Sequence, residues 1–217
     1  AVVVAAEGTV NSVSDTSKYA DSSGPTAAIA SSADLTLGGA GTLNVTGKGN
    51  DGVSSSDGLV ILGGKINVKF ADDAVRGQDY VVIAGGSLDV NGKSNGIKSE
   101  NETKSGRGYV LVTGGDLTIN GGSSNAVNAK TEIVIAGGNI KFAGSKEGIE
   151  AAHVLLAGGK ADVKTTDDGI NATGVRPWLS VSGGEWRLDT GGDGFDSNGA
   201  AYIGGGKMTI YGPTDAR

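Results

Sequence analysis

The stretch Glu132-Ile-Val-Ile-Ala-Gly-Gly-Asn-Ile-Lys-Phe-Ala-Gly-Ser-Lys-Glu-Gly-Ile149 is followed almost at once by His153-Val-Leu-Leu-Ala-Gly-Gly-Lys-Ala-Asp-Val-Lys-Thr-Thr-Asp-Asp-Gly-Ile170. Laid over one another, the two share an apolar-x-Gly-Gly mark and a later polar-Gly-apolar mark. Between the marks the apolar residues alternate: Ile133, Ile135, Ile140, Phe142 and Ile149 in the first, and Val154, Leu156, Ala161, Val163 and Ile170 in the second. Alternation with period 2 is the sign of strands, and no window shows a competing helical period. Three short strands separated by Gly-rich corners therefore make one repeat.

The repeat extends over the chain. The second Gly of the first mark falls at Gly64, Gly86, Gly115, Gly138, Gly159, Gly184 and Gly206, with an upstream variant in Leu37-Gly-Gly-Ala-Gly41. The second mark reads Asp51-Gly-Val, Asp73-Ala-Val, Asn95-Gly-Ile, Asn125-Ala-Val, Glu147-Gly-Ile, Asp168-Gly-Ile and Asp193-Gly-Phe. Two marks in phase at a period near 22 indicate a solenoid. Three strands per turn indicate an all-β parallel β-helix of triangular section and about nine turns, with equivalent residues stacked about 4.8 Å apart. The expected turns are 1–33, 34–56, 57–79, 80–108, 109–131, 132–153, 154–178, 179–200 and 201–217. A charged insertion from Glu100 to Gly108 stands outside the coil. The whole of 1–217 reads as one domain. With no amphipathic helix to cap either end, it is expected to be a fragment of a longer chain lacking its N-terminal part.

Composition excludes several classes. Glycine supplies 40 of 217 residues, about 18 % against about 7 % in average usage. With 3 Pro and no G-X-Y period, collagen is excluded. Zero Cys and 1 His remove disulfides, thiolate metal sites and any site needing two imidazoles. No apolar run is long enough to span a bilayer as a helix. A net charge of −6 argues against nucleic acid as a partner.

Several segments resemble one family. Asp72-Asp-Ala-Val-Arg-Gly-Gln-Asp-Tyr80-Val-Val-Ile-Ala-Gly-Gly, Asn95-Gly-Ile-Lys-Ser-Glu-Asn101, Gly192-Asp-Gly-Phe-Asp-Ser-Asn-Gly199 and Met208-Thr-Ile-Tyr-Gly-Pro-Thr214 are similar to the signatures of bacterial secreted carbohydrate-binding β-helix proteins. The resemblance covers essentially the whole chain. It implies a right-handed parallel β-helix like that of pectate lyases and a secreted or cell-surface location. It also implies bound Ca²⁺ and binding of acidic plant cell-wall polysaccharide. Ala74, Asn125 and Glu147 depart from the family's Asp-Gly pattern.

The second mark stacks Asp51, Asp73, Asn95, Asn125, Glu147, Asp168 and Asp193 in one column. Like charges about 5 Å apart repel, and a hard cation accepting oxygen ligands would relieve them. Asp57, Asp79 and Asn101, six residues on, form a second oxygen column, which His153 extends. The metal-ligand set expected for Ca²⁺ is thus Asp51, Asp57, Asp72, Asp73, Asp79, Asn95, Glu100, Asn101, Asp167, Asp168, Asn171, Asp193 and Asp196. The plainer reading is that Asp and Asn are turn formers.

Arg76 and Lys98 follow the ladder on adjacent turns. They suit contact with a sugar carboxylate, proton abstraction in a β-elimination, or simple pairing with acidic neighbours. Tyr80 and Tyr109 occupy matching positions and suit stacking on sugar rings. Lys65, Lys69, Lys141, Lys160, Lys164 and Arg187 scatter over the second strand face. Val60, Val82, Leu111, Val134 and Leu155 should point outward, and such a patch suits self-association. Trp186 and Phe195 fall in inward columns. Three functions fit: a calcium-dependent module binding polygalacturonate, and cellulose as a second ligand; a calcium-dependent polysaccharide lyase; or a structural spacer.

Overall fold

A computed structural model describes residues 1–20, 23–24 and 26–214, apart from the side chains of Phe70 and Ala71. Every regular element among the described residues is a strand. No helix is present there that could cross a membrane, which says nothing of a strand-based span.

Strand order explains the 22-residue period. The strands sort into three sheets in strict rotation, and each strand pairs in parallel with its equivalent one turn away. The first sheet has nine strands, from Val2–Ala5 to Ala200–Ile203, and the second nine, from Val10–Ser14 to Lys207–Tyr211. The third has eight, from Ala27–Ser31 to Phe195–Ser197. The described residues thus form eight complete turns of a β-solenoid and a ninth without its third strand.

Register carries the five apolar columns into five inward ladders. In the first sheet Leu59, Val81, Val110, Ile133, Val154 and Leu179 stack, as do Ile61, Ile83, Val112, Ile135, Leu156 and Val181. The second sheet contributes the rows through Leu88 and Val90, the third the row through Ile97. All are buried. Each such side chain removed from water is worth about 1.5–3 kcal/mol, and among the described residues they form one core cluster. Trp186 fills the bore at the C-terminal end, its indole N–H donating to the Gly183 carbonyl at 2.9 Å. Phe195 is partly buried against the same cluster.

Glycine makes the first corner possible. Gly86 has φ +91°, and a Cβ there would sit 2.7 Å from the Gly64 carbonyl oxygen of the turn below. Left-handed backbone and close inter-turn approach both exclude a side chain.

The placement of His153 differs from the sequence expectation by one residue. His153 and Trp178 open first-sheet strands, in register with Glu132 and with each other. His153 therefore leaves the oxygen column and joins the row of Tyr80 and Tyr109. Turn 6 closes its last corner with Ala152 alone, so a fixed offset of six overshoots there.

Inward and outward rows of one strand should respond differently to truncation. Ile135→Ala is expected to cost about 2–5 kcal/mol by cavity formation, and Leu155→Ala under about 1 kcal/mol. Urea unfolding followed by circular dichroism measures both, and equal losses would contradict the assigned facing.

Candidate functional site

The outer surface of each sheet carries a different chemistry. On the third sheet the Asp-Gly column does its first work within the backbone. The Asp73 N–H donates to Asp51 Oδ1 at 3.2 Å, the Asn95 N–H to Asp73 Oδ1 at 3.1 Å, and the Asp193 N–H to Asp168 Oδ1 at 2.7 Å. Each side chain thus holds the corner of the turn above. The short polar side chains serve as turn formers across turns, not only within one.

The charge of the ladder's N-terminal half is met by protein cations. Lys98 Nζ lies 3.2 Å from Asp73 Oδ2 and 3.0 Å from Glu100 Oε2, while Arg76 pairs with Glu100 and reaches Asp51 Oδ2 at 3.7 Å. Burial pulls Arg76 and Lys98 down, but the carboxylates outweigh it and hold both above their usual values. Burial pushes Glu100 up, and the two cations more than reverse this. Asp51 is nearly fully buried, and its Oδ2 accepts no hydrogen bond. Burial first, then the Asp73 charge, push it up to about 6.

The second oxygen column splits away from the first. Asp79 accepts from the Asn101 amide and pairs with Lys104 and Arg107, each at 3.4 Å. Asn101 Oδ1 in turn accepts the Thr103 and Lys104 N–H groups. These two residues anchor the 100–108 insertion. Asp57 is half-buried and meets Asp79 through the backbone; Asp72 is exposed. Around Asp51, Asp73, Glu100 and Asp79, the paired cations are Arg76, Lys98, Lys104 and Arg107. Toward the C-terminus the ladder continues through Asp168 and Asp193. Burial, then the charges of Asp167, Asp196 and Asp193, raise Asp168 against the opposing hydrogen bond from Asp193. Lys146 pairs with Asp167 at 3.5 Å, and Asn171 Oδ1 is buried without a partner. Among the described residues no three carboxylate or imidazole side chains converge as a metal cluster.

The first sheet presents the outward apolar row Val60, Val82, Leu111, Val134 and Leu155, each half-buried. Beside it Tyr80 and Tyr109 stack on each other, ring centroids 5.5 Å apart, and His153 stacks on Trp178 at 5.1 Å. Tyr80 lies over Gly58, where a Cβ would collide with the ring, and its hydroxyl donates to Asp34 at 3.3 Å. The Tyr80 and Tyr109 faces are turned along the stack, against one another.

The second sheet holds a depression of about 760 Å³. Its floor is the outward row Asn44, Asn67, Asp89, Thr118 and Lys141, flanked by Lys65 and Lys69 on turn 3. Asn67 donates to Asn44 Oδ1 at 2.8 Å. Lys65, Lys69 and Lys141 are exposed and form no ion pair with a described carboxylate. Farther along, Lys160 and Lys207 pair with Glu185, and Arg187 with Asp162 and Asp189. Alternation alone places these lysines on one face. That the N-terminal ones stay unpaired depends on which carboxylates reach them.

Three comparisons bear on this chain. The sequence model of the family described as carbohydrate-binding domain-containing protein matches residues 1–216. A solved structure described as the polysaccharide lyase-like protein from C. thermocellum, in a gadolinium derivative, is similar with TM-score 0.65 and 24 % identity. The match covers 95 % of this chain and 67 % of that one, and shows a shared fold. No curated protein matches.

Asp51 supplies a test of the ion-paired half. Its raised value means the protonated form is favoured in the fold. Stability from this group is full below about pH 4 and lost as pH rises through about 6. Glu147, raised to about 7 by burial and by Glu150, adds a loss of the same sign. Asp51→Asn is expected to flatten the fall in melting temperature between about pH 4 and about pH 6. An unchanged slope would remove Asp51 as its source.

Proposed function

We propose, on the premise that the chain belongs to the carbohydrate-binding domain-containing protein family, that the second-sheet depression is its glycan site and acidic polysaccharide its ligand. The carrying observation is the set of unpaired lysines, Lys65, Lys69 and Lys141, which outnumber the carboxylates Asp89 and Asp116 in a groove floored also by Asn44, Asn67 and Thr118. Amides and hydroxyls suit sugar hydroxyls, and exposed ammonium groups suit carboxylates. A chain of net charge −6 needs such a local reversal to take an anionic partner. The turns advance about 4.8 Å each, comparable to the advance per sugar in an extended 1,4-linked glycan. A uronate chain lying along the stack would meet a fresh row at every residue. Polygalacturonate of the plant cell wall is the ligand this reading names first, with cellulose as the neutral comparison and a secreted or cell-surface location as its setting.

The reading is of a binding module and not an enzyme. Arg76 and Lys98, the bases a lyase would draw on, are each tied to two carboxylates. A lyase remains the alternative that the same experiment separates. Pull-down on polygalacturonate is expected to retain the protein without the ultraviolet absorbance of an unsaturated product. The triple variant Lys65→Ala, Lys69→Ala, Lys141→Ala should weaken binding at least about tenfold, or about 1.4 kcal/mol, and added salt should weaken the wild type. Undiminished binding by the triple variant would place the site elsewhere. New absorbance lost in Arg76→Ala or Lys98→Ala would make the chain a lyase.

Calcium enters the proposal at one place, the crowded quartet Asp167, Asp168, Asp193 and Asp196 near Asn171 Oδ1. Ca²⁺ takes oxygen ligands from carboxylates and amides, and these side chains supply both. A ligand that binds only the folded state raises its melting temperature. Ca²⁺ is therefore expected to raise it by several degrees over a chelator, and Asp196→Asn to reduce the gain. No difference between Ca²⁺ and chelator would end this part of the proposal.

A further inference from the structure

Two turns lengthen at the same corner, where a third-sheet strand hands over to the next first-sheet strand. Turn 4 runs through residues 100–108 there, and turn 7 through 173–177. Between them turn 5 closes that corner with Lys130 and Thr131, and turn 6 with Ala152 alone. The long segments stand as walls on either side of a low floor. The cavity between them measures about 540 Å³, within the range of small-molecule sites.

The walls are fixed and the floor is small. Buried Ala129 and Ala152 keep the floor low. The first wall is held by Asn101 and Asp79, and by the Thr131 hydroxyl donating to the Arg107 carbonyl at 2.7 Å. In the second, Gly174 has φ +126° and lies against Ala152, where a Cβ would be 3.4 Å from the Ala152 Cβ. That geometry carries Val175 to the rim, 80 % exposed.

The chemistry of the lining is one-sided. The Glu150 carboxylate accepts from the Asn125 amide at 3.1 Å and the Asn128 amide at 3.2 Å, and no described cation pairs with it. Lys130 is already held by Glu102 at 3.7 Å. Glu102, Glu150 and Lys130 therefore leave one net negative charge on the cavity. Facing it are the apolar surfaces of Val175, Ala129 and Ala152.

We propose that this cavity is a second glycan site, shaped for a single amino-sugar residue. The ammonium of such a sugar meets Glu150. Its hydroxyls donate to Glu102, and the C–H face of its ring lies against Val175 and Ala152. A uronate is repelled by the same two carboxylates. The selectivity is thus opposite to that proposed for the second-sheet groove, and the inference does not depend on that groove.

The test titrates the full chain with the glucosamine tetramer, the N-acetylglucosamine tetramer and the galacturonate tetramer, at a pH where the free amine is charged. Tryptophan fluorescence reports binding, because Trp178 stacks on His153 in the cavity wall while Trp186 is buried. Trp178→Phe identifies the source of the signal. The glucosamine tetramer is expected to bind about tenfold more tightly than either other ligand. Glu150→Gln should weaken it about tenfold and Val175→Ser by a smaller measurable factor. Val175 is exposed, so its variant folds and keeps the test decisive. Equal binding of the galacturonate tetramer overturns the proposal. So does failure of the glucosamine tetramer to bind, or binding undiminished in both variants, which would be attraction to an acidic surface in general.

Discussion

Parallel in-register pairing between turns is the constraint on which everything else in this molecule rests. Each residue has its equivalent about 4.8 Å above and below, so a column is either uniformly tolerable or a problem that repeats. Apolar columns gain from this, since Ile stacks on Val and Leu without a break from turn 2 to turn 8. Charged columns suffer from it, and the chain resolves them in three ways. It interrupts the acids with Asn95 and Asn125, it lends side-chain oxygens to the N–H groups of the next turn, and it draws Arg and Lys across from the neighbouring row.

The same constraint decides how much could be read beforehand. The five inward ladders and the Gly corners were legible because their period is enforced by burial, and a slip of one residue would turn Ile133 and Ile135 to the solvent. Corners enforce no such period. Turn 6 spends a single residue, Ala152, where turn 5 spends two, and that difference moved His153 into the aromatic row.

Partner choice was the least legible layer. A column of Asp residues looks the same in sequence whether its charge is met by a metal, by an amide or by a guanidinium. Arg76 reaches back one turn to Asp51 and forward one to Glu100, and that reach depends on side-chain packing in three dimensions. The same holds for the lysines of the second sheet. Lys160 and Lys207 find Glu185 between them, whereas Lys65 looks across at Ser87 and Thr42.

The corner that holds residues 100–108 and 173–177 has one more property. Tyr80 and Tyr109 remain directly paired although turn 4 is seven residues longer than turn 3, since Gly58 to Tyr80 spans 22 positions and Tyr80 to Tyr109 spans 29. The extra chain leaves the hydrogen-bond lattice untouched, and its closure entropy grows only with the logarithm of its length. The scaffold and its outgrowths are thermodynamically decoupled at that edge. Such a rod can be diversified loop by loop, by mutation in nature or by grafting at the bench, while the core below remains the same object.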